Sequence, residues 1–210
     1  MPETAPADPT RTKLLEAAGQ VFAERGFHDA TVREICSRAG ANVAAVNYHF
    51  GDKVELYEEV LRQGVSALHD AALRETLNDM DPRQALRRMI HHMAARLCSA
   101  NRKGWTMRIM AHELAQPTPA FVRVVDEIIG PTSSMLRRVI GRLLSLPPDH
   151  EKTRLCANSV MAQLIHYAYA RPVIERLWPE LKMTEETVDR IAKHIADFSL
   201  AYLTSKKKSS

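Results

Sequence analysis

The sequence predicts an all-α protein, with an N-terminal three-helix domain built on a helix-turn-helix and a larger α-helical domain after it. Three observations lead there. Apolar residues recur at helical spacing along most of the chain, and no segment alternates apolar with polar as a half-buried strand would. Glycines, prolines and capping residues fall between these stretches. A chain of 210 residues, 45% hydrophobic and 26% charged, is long and apolar enough to bury a real core. The expected division is a short disordered tail at 1–8, the three-helix domain at 9–55, a second helical domain at 56–204 and a basic tail at 205–210.

The first helix is expected from Pro9 to Arg25, with Leu14, Leu15, Ala18, Val21 and Phe22 on one stripe and Gly26 as its C-terminal cap. Thr31-Val-Arg-Glu34 then reads as a capping box, in which Thr31 and Glu34 each satisfy an unpaired backbone donor. It opens a second helix whose core face is Val32, Ile35, Cys36 and Ala39. Gly40 breaks that helix and Asn42 caps a third. There Val43, Val46 and Phe50 recur at i, i+3 and i+7, so they are expected to share the buried face. Asp52-Lys-Val-Glu55 resembles a second capping box and starts helix four. Two short helices across a glycine-containing turn make a helix-turn-helix.

Burying Val43, Val46 and Phe50 leaves Ala44, Ala45, Asn47, Tyr48 and His49 on the other faces. Two alanines keep that face thin enough for a groove and can meet thymine methyls, and an asparagine can pair with an adenine edge. Tyr48 and His49 can donate to phosphates, Lys53 adds a charge near a helix start, and Thr31 opens the second helix where a phosphate can sit. Arg33 and Asn42 complete the expected DNA-contacting set. The bland alternative is that this short helix merely packs on a neighbour.

Composition narrows the remaining classes. The net charge of +4 owes three charges to Lys206, Lys207 and Lys208, so any cations that meet DNA must be placed locally. Cys36, Cys98 and Cys156 are odd in number and far apart, which supports neither a disulfide framework nor a Cys-x-x-Cys metal site and points to a reducing cytoplasm. His91 and His92 are adjacent on a helix and diverge by about 100°, so no metal and no cofactor is expected. The start, MPETAPADPT, lacks the basic and apolar regions of a secretory signal, and no apolar run reaches membrane-spanning length. A phosphate loop, a His-Glu-x-x-His pattern and a nucleophile elbow are all missing, so an enzyme is not expected.

Leu14-Leu15-Glu16-Ala17-Ala18, Phe22-Ala23-Glu24-Arg25-Gly26-Phe27, Ala30-Thr31-Val32-Arg33-Glu34-Ile35 and Tyr48-His49-Phe50-Gly51-Asp52-Lys53 resemble the N-terminal domain of the TetR family of bacterial transcriptional regulators. The resemblance covers roughly residues 11–60. It implies a third helix in the major groove, with Thr31, Tyr48, His49 and Lys53 on the phosphate backbone and Ala44, Ala45 and Asn47 nearest the bases. Asn42 and Ala44-Ala45 depart from the residues often found there, so no operator sequence carries over. Further on, His112-Glu113-Leu114-Ala115, Pro117-Thr118-Pro119-Ala120-Phe121, Arg171-Pro172-Val173-Ile174 and Leu177-Trp178-Pro179 are similar to the CecR subgroup. This implies an all-α domain that binds a ligand and dimerises.

In that half, helices are expected at Asp52 to Leu77, Pro82 to Ala100, Lys103 to Ala115, Pro119 to Leu146 with a kink at Gly130-Pro131, Asp149 to Tyr169 and Thr184 to Leu203. The last two carry the apolar faces expected to dimerise: Val160, Met161 and Leu164 on one, Ile191, Ile195, Phe198 and Tyr202 on the other. Trp105, Met107, Met110, His112 and Glu113, joined by Gln163, His166 and Tyr167, are the candidate lining of an effector pocket, although a Met-rich stripe is also ordinary core. The expected protein is a cytoplasmic, bacterial homodimeric repressor on double-stranded operator DNA, released by a small, largely apolar effector. The alternative is a DNA-binding protein without a small ligand, controlled by a protein partner or acting structurally.

Overall fold

The computed structural model describes residues 8–66, 71–98 and 104–205. The expected tails at 1–7 and 206–210 lie outside the described residues; Asp8, expected in the first tail, instead caps a helix. Among the described residues there is no strand. The helices are α1 (Pro9–Asp29), α2 (Val32–Ala39), α3 (Val43–Phe50), α4 (Lys53–Ser66), α5 (Ala71–Asp79), α6 (Pro82–Leu97), α7 (Gly104–Ala115) and α8 (Pro119–Val124). A π-helical turn, Val125–Ile129, leads to α9 (Gly130–Leu144), α10 (Glu151–Tyr169), α11 (Arg171–Leu177) and α12 (Glu185–Ser205).

The chain forms two compact units, one from Met1–Ser66 and Lys103–Glu127, the other from Ala67–Arg102 and Ile128–Ser210. In the first, Leu14, Ala18, Val21 and Phe22 of α1 bury with Ile35, Val46, Leu56, Tyr57 and Val60. Tyr57 packs edge-on to Phe22 at 4.6 Å and lies 4.8 Å from Phe27. α7 comes down on α1 at Gly19, where an added Cβ would stand 2.5 Å from the Trp105 indole, so only glycine admits that approach. The indole N–H donates to Glu16 Oε1 at 3.0 Å.

In the second unit Leu86, Met89, Ile90 and Met93 of α6 meet Leu136 and Ile140 of α9, Leu164 of α10, and Ala192, Ile195 and Ala196 of α12. An ion pair, Arg87–Asp197 at 2.5 Å, ties α6 to α12 on the outside.

Several boundaries differ from expectation for physical reasons. The helix expected from Asp52 to Leu77 is present as α4 and α5, with 67–70 outside the described residues. The break expected at Gly130-Pro131 is a π-helical turn just before it: Pro131 has no N–H for the carbonyl one turn back, and a wider turn accommodates the loss. Thr132 Oγ1 supplies a donor to Ile128 O at 3.2 Å. α11 was not anticipated; Pro172 sits in its first turn, where the missing N–H costs nothing.

Candidate nucleic-acid interface

The turn between α2 and α3 is fixed by its own backbone. Gly40 closes α2 in the left-handed conformation, φ 63°, and Ala41 N–H donates to Cys36 O at 2.9 Å. The Cys36 thiol, raised in pKa by burial, lies 3.6 Å from Asn42 O inside the turn. Asn42 Oδ1 accepts the Ala44 N–H at 3.0 Å, so its carbonyl is spent as the α3 cap. Thr31 Oγ1 likewise accepts the Glu34 N–H at 3.2 Å, which leaves its hydroxyl proton to donate outward. α2 is braced on α1 by a fork in which both terminal nitrogens of the Arg38 guanidinium donate to Glu24, at 2.7 and 2.8 Å, and this holds the Glu24 carboxyl below its ordinary pKa.

α3 stands on Val46 and Phe50, both buried. Val43, expected to share that face, is 43% exposed; it lies in the first turn, right after the cap, ahead of the part of the helix that packs. Ala44, Asn47 and Tyr48 are exposed, Tyr48 to 85%, while Ala45 is half-buried. Arg33 and Thr31 are exposed on α2 and its cap.

His49 and Lys53 are less open than the sequence suggests. The His49 side chain is 11% exposed, with Nε2 3.6 Å from Asp8 Oδ2. Lys53 Nζ donates to His28 O at 3.1 Å and rests over the Phe27 ring at 4.7 Å, and its partial burial lowers its pKa. Lys53 thus closes the end of α1, with its ammonium still at the edge of the face. Beside α3 a polar groove is lined by Arg11, Tyr48, His49, Glu55, Glu58 and Arg123. Arg11 there lies over the Phe50 ring at 5.2 Å and pairs with Glu59 at 2.9 Å. Burial alone would push Glu58 up, but bonds from Arg123 and Arg62, both 2.7 Å, outweigh it and hold the carboxyl low. Neither Asp8 nor Arg11 was singled out from sequence, because nothing local marks a pairing between residues so far apart in the chain.

The candidate effector residues are divided between the two units. Trp105 is buried against α1, and Glu113 is a buried hub: it accepts from Tyr57 OH at 2.5 Å, from Thr118 N–H at 2.8 Å and from Thr118 Oγ1 at 3.0 Å. Both are therefore corrected to structural roles. Burial, with the bond to Glu113, pushes the Tyr57 phenol well above its ordinary pKa. Met110 is buried, Met107 half-buried, and His112 Nε2 lies 3.4 Å from Ala23 O. In the second unit Gln163 and Tyr167 line two different grooves, Gln163 beside Phe198 and Tyr202, Tyr167 beside Trp178 and His194, and His166 is exposed.

The dimer candidates divide as well. Val160, Leu164, Ile191 and Ile195 are buried inside their own unit, which corrects their assignment to an interface; Met161 is half-buried. Phe198 and Tyr202 are bare, at 63% and 53% exposure.

A capped two-turn helix that shows small, amide and phenol side chains, set on a glycine turn behind a braced helix, defines a helix-turn-helix DNA-binding regulator. The chain belongs to the TetR family of bacterial regulatory proteins, with a C-terminal domain of the CecR kind. Residues 14–60 match the first family, and residues 82–203 match the HTH-type transcriptional dual regulator CecR, C-terminal domain. Among relatives, the HTH-type transcriptional regulator BetI of Escherichia coli O139:H28 is 30% identical over 92% of this chain and 93% of its own. The HTH-type transcriptional dual regulator CecR of Shigella flexneri is 24% identical over 81% of each. The transcriptional activator FasR of Mycolicibacterium smegmatis is 40% identical over 39% of this chain, and the match spans 37% of that protein. Among solved structures, the fatty acid degradation regulator FadR from Bacillus halodurans has a TM-score of 0.65 at 17% identity, covering 93% of this chain and 97% of that one. No helix among the described residues is long and apolar enough to cross a membrane.

Proposed function

We propose that this regulator is a cytoplasmic homodimeric repressor that sets two copies of α3 in successive major grooves of an inverted-repeat operator. The observation that carries this reading is the outer face of α3, where Ala44, Asn47 and the largely exposed Tyr48 stand together over the buried Val46 and Phe50. Asn47 and the alanines read bases; Tyr48, His49, Thr31, Arg33 and the edge of Lys53 hold phosphates. The reading helices of the dimer then lie about 34–36 Å apart, or a multiple of it, to meet one side of the duplex.

Dimerisation is assigned to the bare face of α10 and α12, where Leu155, Ile165, Phe198 and Tyr202 are all exposed. Packed on a two-fold mate, these helices make a four-helix interface. The effector is a small, largely apolar molecule; FadR from Bacillus subtilis, which shares the fold at a TM-score of 0.65, was solved with stearoyl-CoA, a ligand whose acyl chain is apolar and whose nucleotide head is charged. Effector and operator are linked, so each must weaken the other by the same factor.

The test is a gel-shift series on the promoter region beside the gene. Wild-type protein should shift a duplex that contains an inverted repeat, and Asn47→Ala should shift scrambled duplexes nearly as well as the repeat. Failure of the wild-type chain to bind any duplex at low salt overturns the reading. A thermal-shift screen of apolar compounds addresses the effector, since a ligand of the native state raises its melting point.

A further inference from the structure

Close to His49 Nε2 stands a carboxylate that precedes the first helix. Asp8 caps α1, with Oδ1 accepting the Thr10 N–H at 2.8 Å. Its other oxygen, Oδ2, lies 3.6 Å from His49 Nε2. That distance exceeds a hydrogen bond but is an ion-pair distance once the imidazole is protonated. Asp8 is kept ionised by the Thr10 N–H first, with smaller help from the Arg11 backbone and the charge of His49. The cap bond holds the carboxylate at the start of α1.

Resting on the function proposed above, we propose that Asp8 is a built-in competitor for the DNA phosphate at His49. The carboxylate lies 3.6 Å from Nε2, where a phosphate would approach, so a phosphate has to displace it or share the imidazole with it. The consequence is a lowered affinity for duplex of any sequence, because the phosphate term is sequence-independent. Because that term is common to operator and scrambled duplex, it lowers occupancy of both by the same factor and leaves the ratio set by base contacts such as those of Asn47 unchanged.

Other charged groups around this site are accounted for within the first unit. From α1, Arg11 faces the same groove but is held by Glu59; from α4, Glu55, Glu58, Glu59 and Arg62 line it; from α8, Arg123 is held by Glu58. Asp8 is the acidic group paired directly with His49.

The experiment compares wild type, Asp8→Asn, His49→Gln and the double variant in gel shifts on operator-containing and scrambled duplexes. Asparagine is an equally good cap, so α1 keeps its start, and unchanged thermal midpoints establish that all four proteins fold. Asp8→Asn should bind scrambled duplex about two- to fivefold more tightly at low salt, the range of an exposed ion pair, with the gain fading as salt rises. In the His49→Gln background the same substitution should give no gain. A gain of equal size with and without His49 would mean a general charge effect and overturn the proposal, as would no gain in wild type. If wild-type protein shifts neither duplex, it is the DNA-binding reading that fails.

Discussion

At the scale of single residues, the chemistry divides between side chains that hold the first unit and those left to meet DNA. Glu113 shows the first kind. It is an ionisable group with almost no exposure, and it survives there because Tyr57 and Thr118 surround its oxygens with donors. Tyr57→Phe keeps the ring packing on Phe22 and Phe27 but removes one of those donors. It should cost about 1–3 kcal/mol in urea unfolding, whereas the doubly altered Tyr57→Phe, Glu113→Gln chain should recover part of that. Asn47 and Tyr48, both exposed, are of the second kind in the function proposed above. Tyr48→Phe should weaken binding to all duplexes alike in a salt titration, and Asn47→Ala should instead flatten the difference between operator and scrambled sequence, by about 1–3 kcal/mol per half-site.

At the scale of elements, the caps and turns were legible: Thr31, Asn42 and Asp52 each accept the backbone N–H expected of them, because capping is a local interaction set by adjacent residues. What could not be read was which apolar face is covered by what. Ile191, Ile195, Phe198 and Tyr202 do lie on one stripe of α12, yet its first half is buried within the unit and its second half is bare. Periodicity reports a face, and only the packed neighbours decide its fate. The same limit turned Trp105 and Glu113 from pocket candidates into core. Close approach of helices also leaves little sequence trace, and Gly19 under the Trp105 indole is the clearest case. Gly19→Ala should destabilise by about 1–3 kcal/mol in thermal or urea unfolding, and Trp105→Leu in the same chain should restore part of the loss by making room. Between α6 and α12, Asp197 is held below its ordinary carboxyl pKa by Lys193 and Arg87. Its stabilising contribution is therefore present above about pH 4 and fades as the pH falls through the depressed value; Asp197→Asn should remove that acid dependence from an unfolding series taken at successive pH values.

For the whole molecule, the expected assembly follows from the bare apolar face on α10 and α12. Four exposed side chains, Leu155, Ile165, Phe198 and Tyr202, are costly to leave in water and have a natural cover in a second copy. Phe198→Glu with Tyr202→Glu should give a folded monomer in sedimentation at micromolar concentration, with the same far-UV helix signal. Its operator affinity should drop far more than its affinity for half-sites, because one reading helix alone forgoes the second groove. The two tryptophans lend themselves to following all of this by light. Trp105 is shielded and bonded to Glu16 in the first unit, whereas Trp178 is half open on the second. Iodide should therefore quench the redder emission of Trp178 and spare that of Trp105. A Trp178→Phe chain would then report, through a single indole, on the seating of α7 against α1 alone.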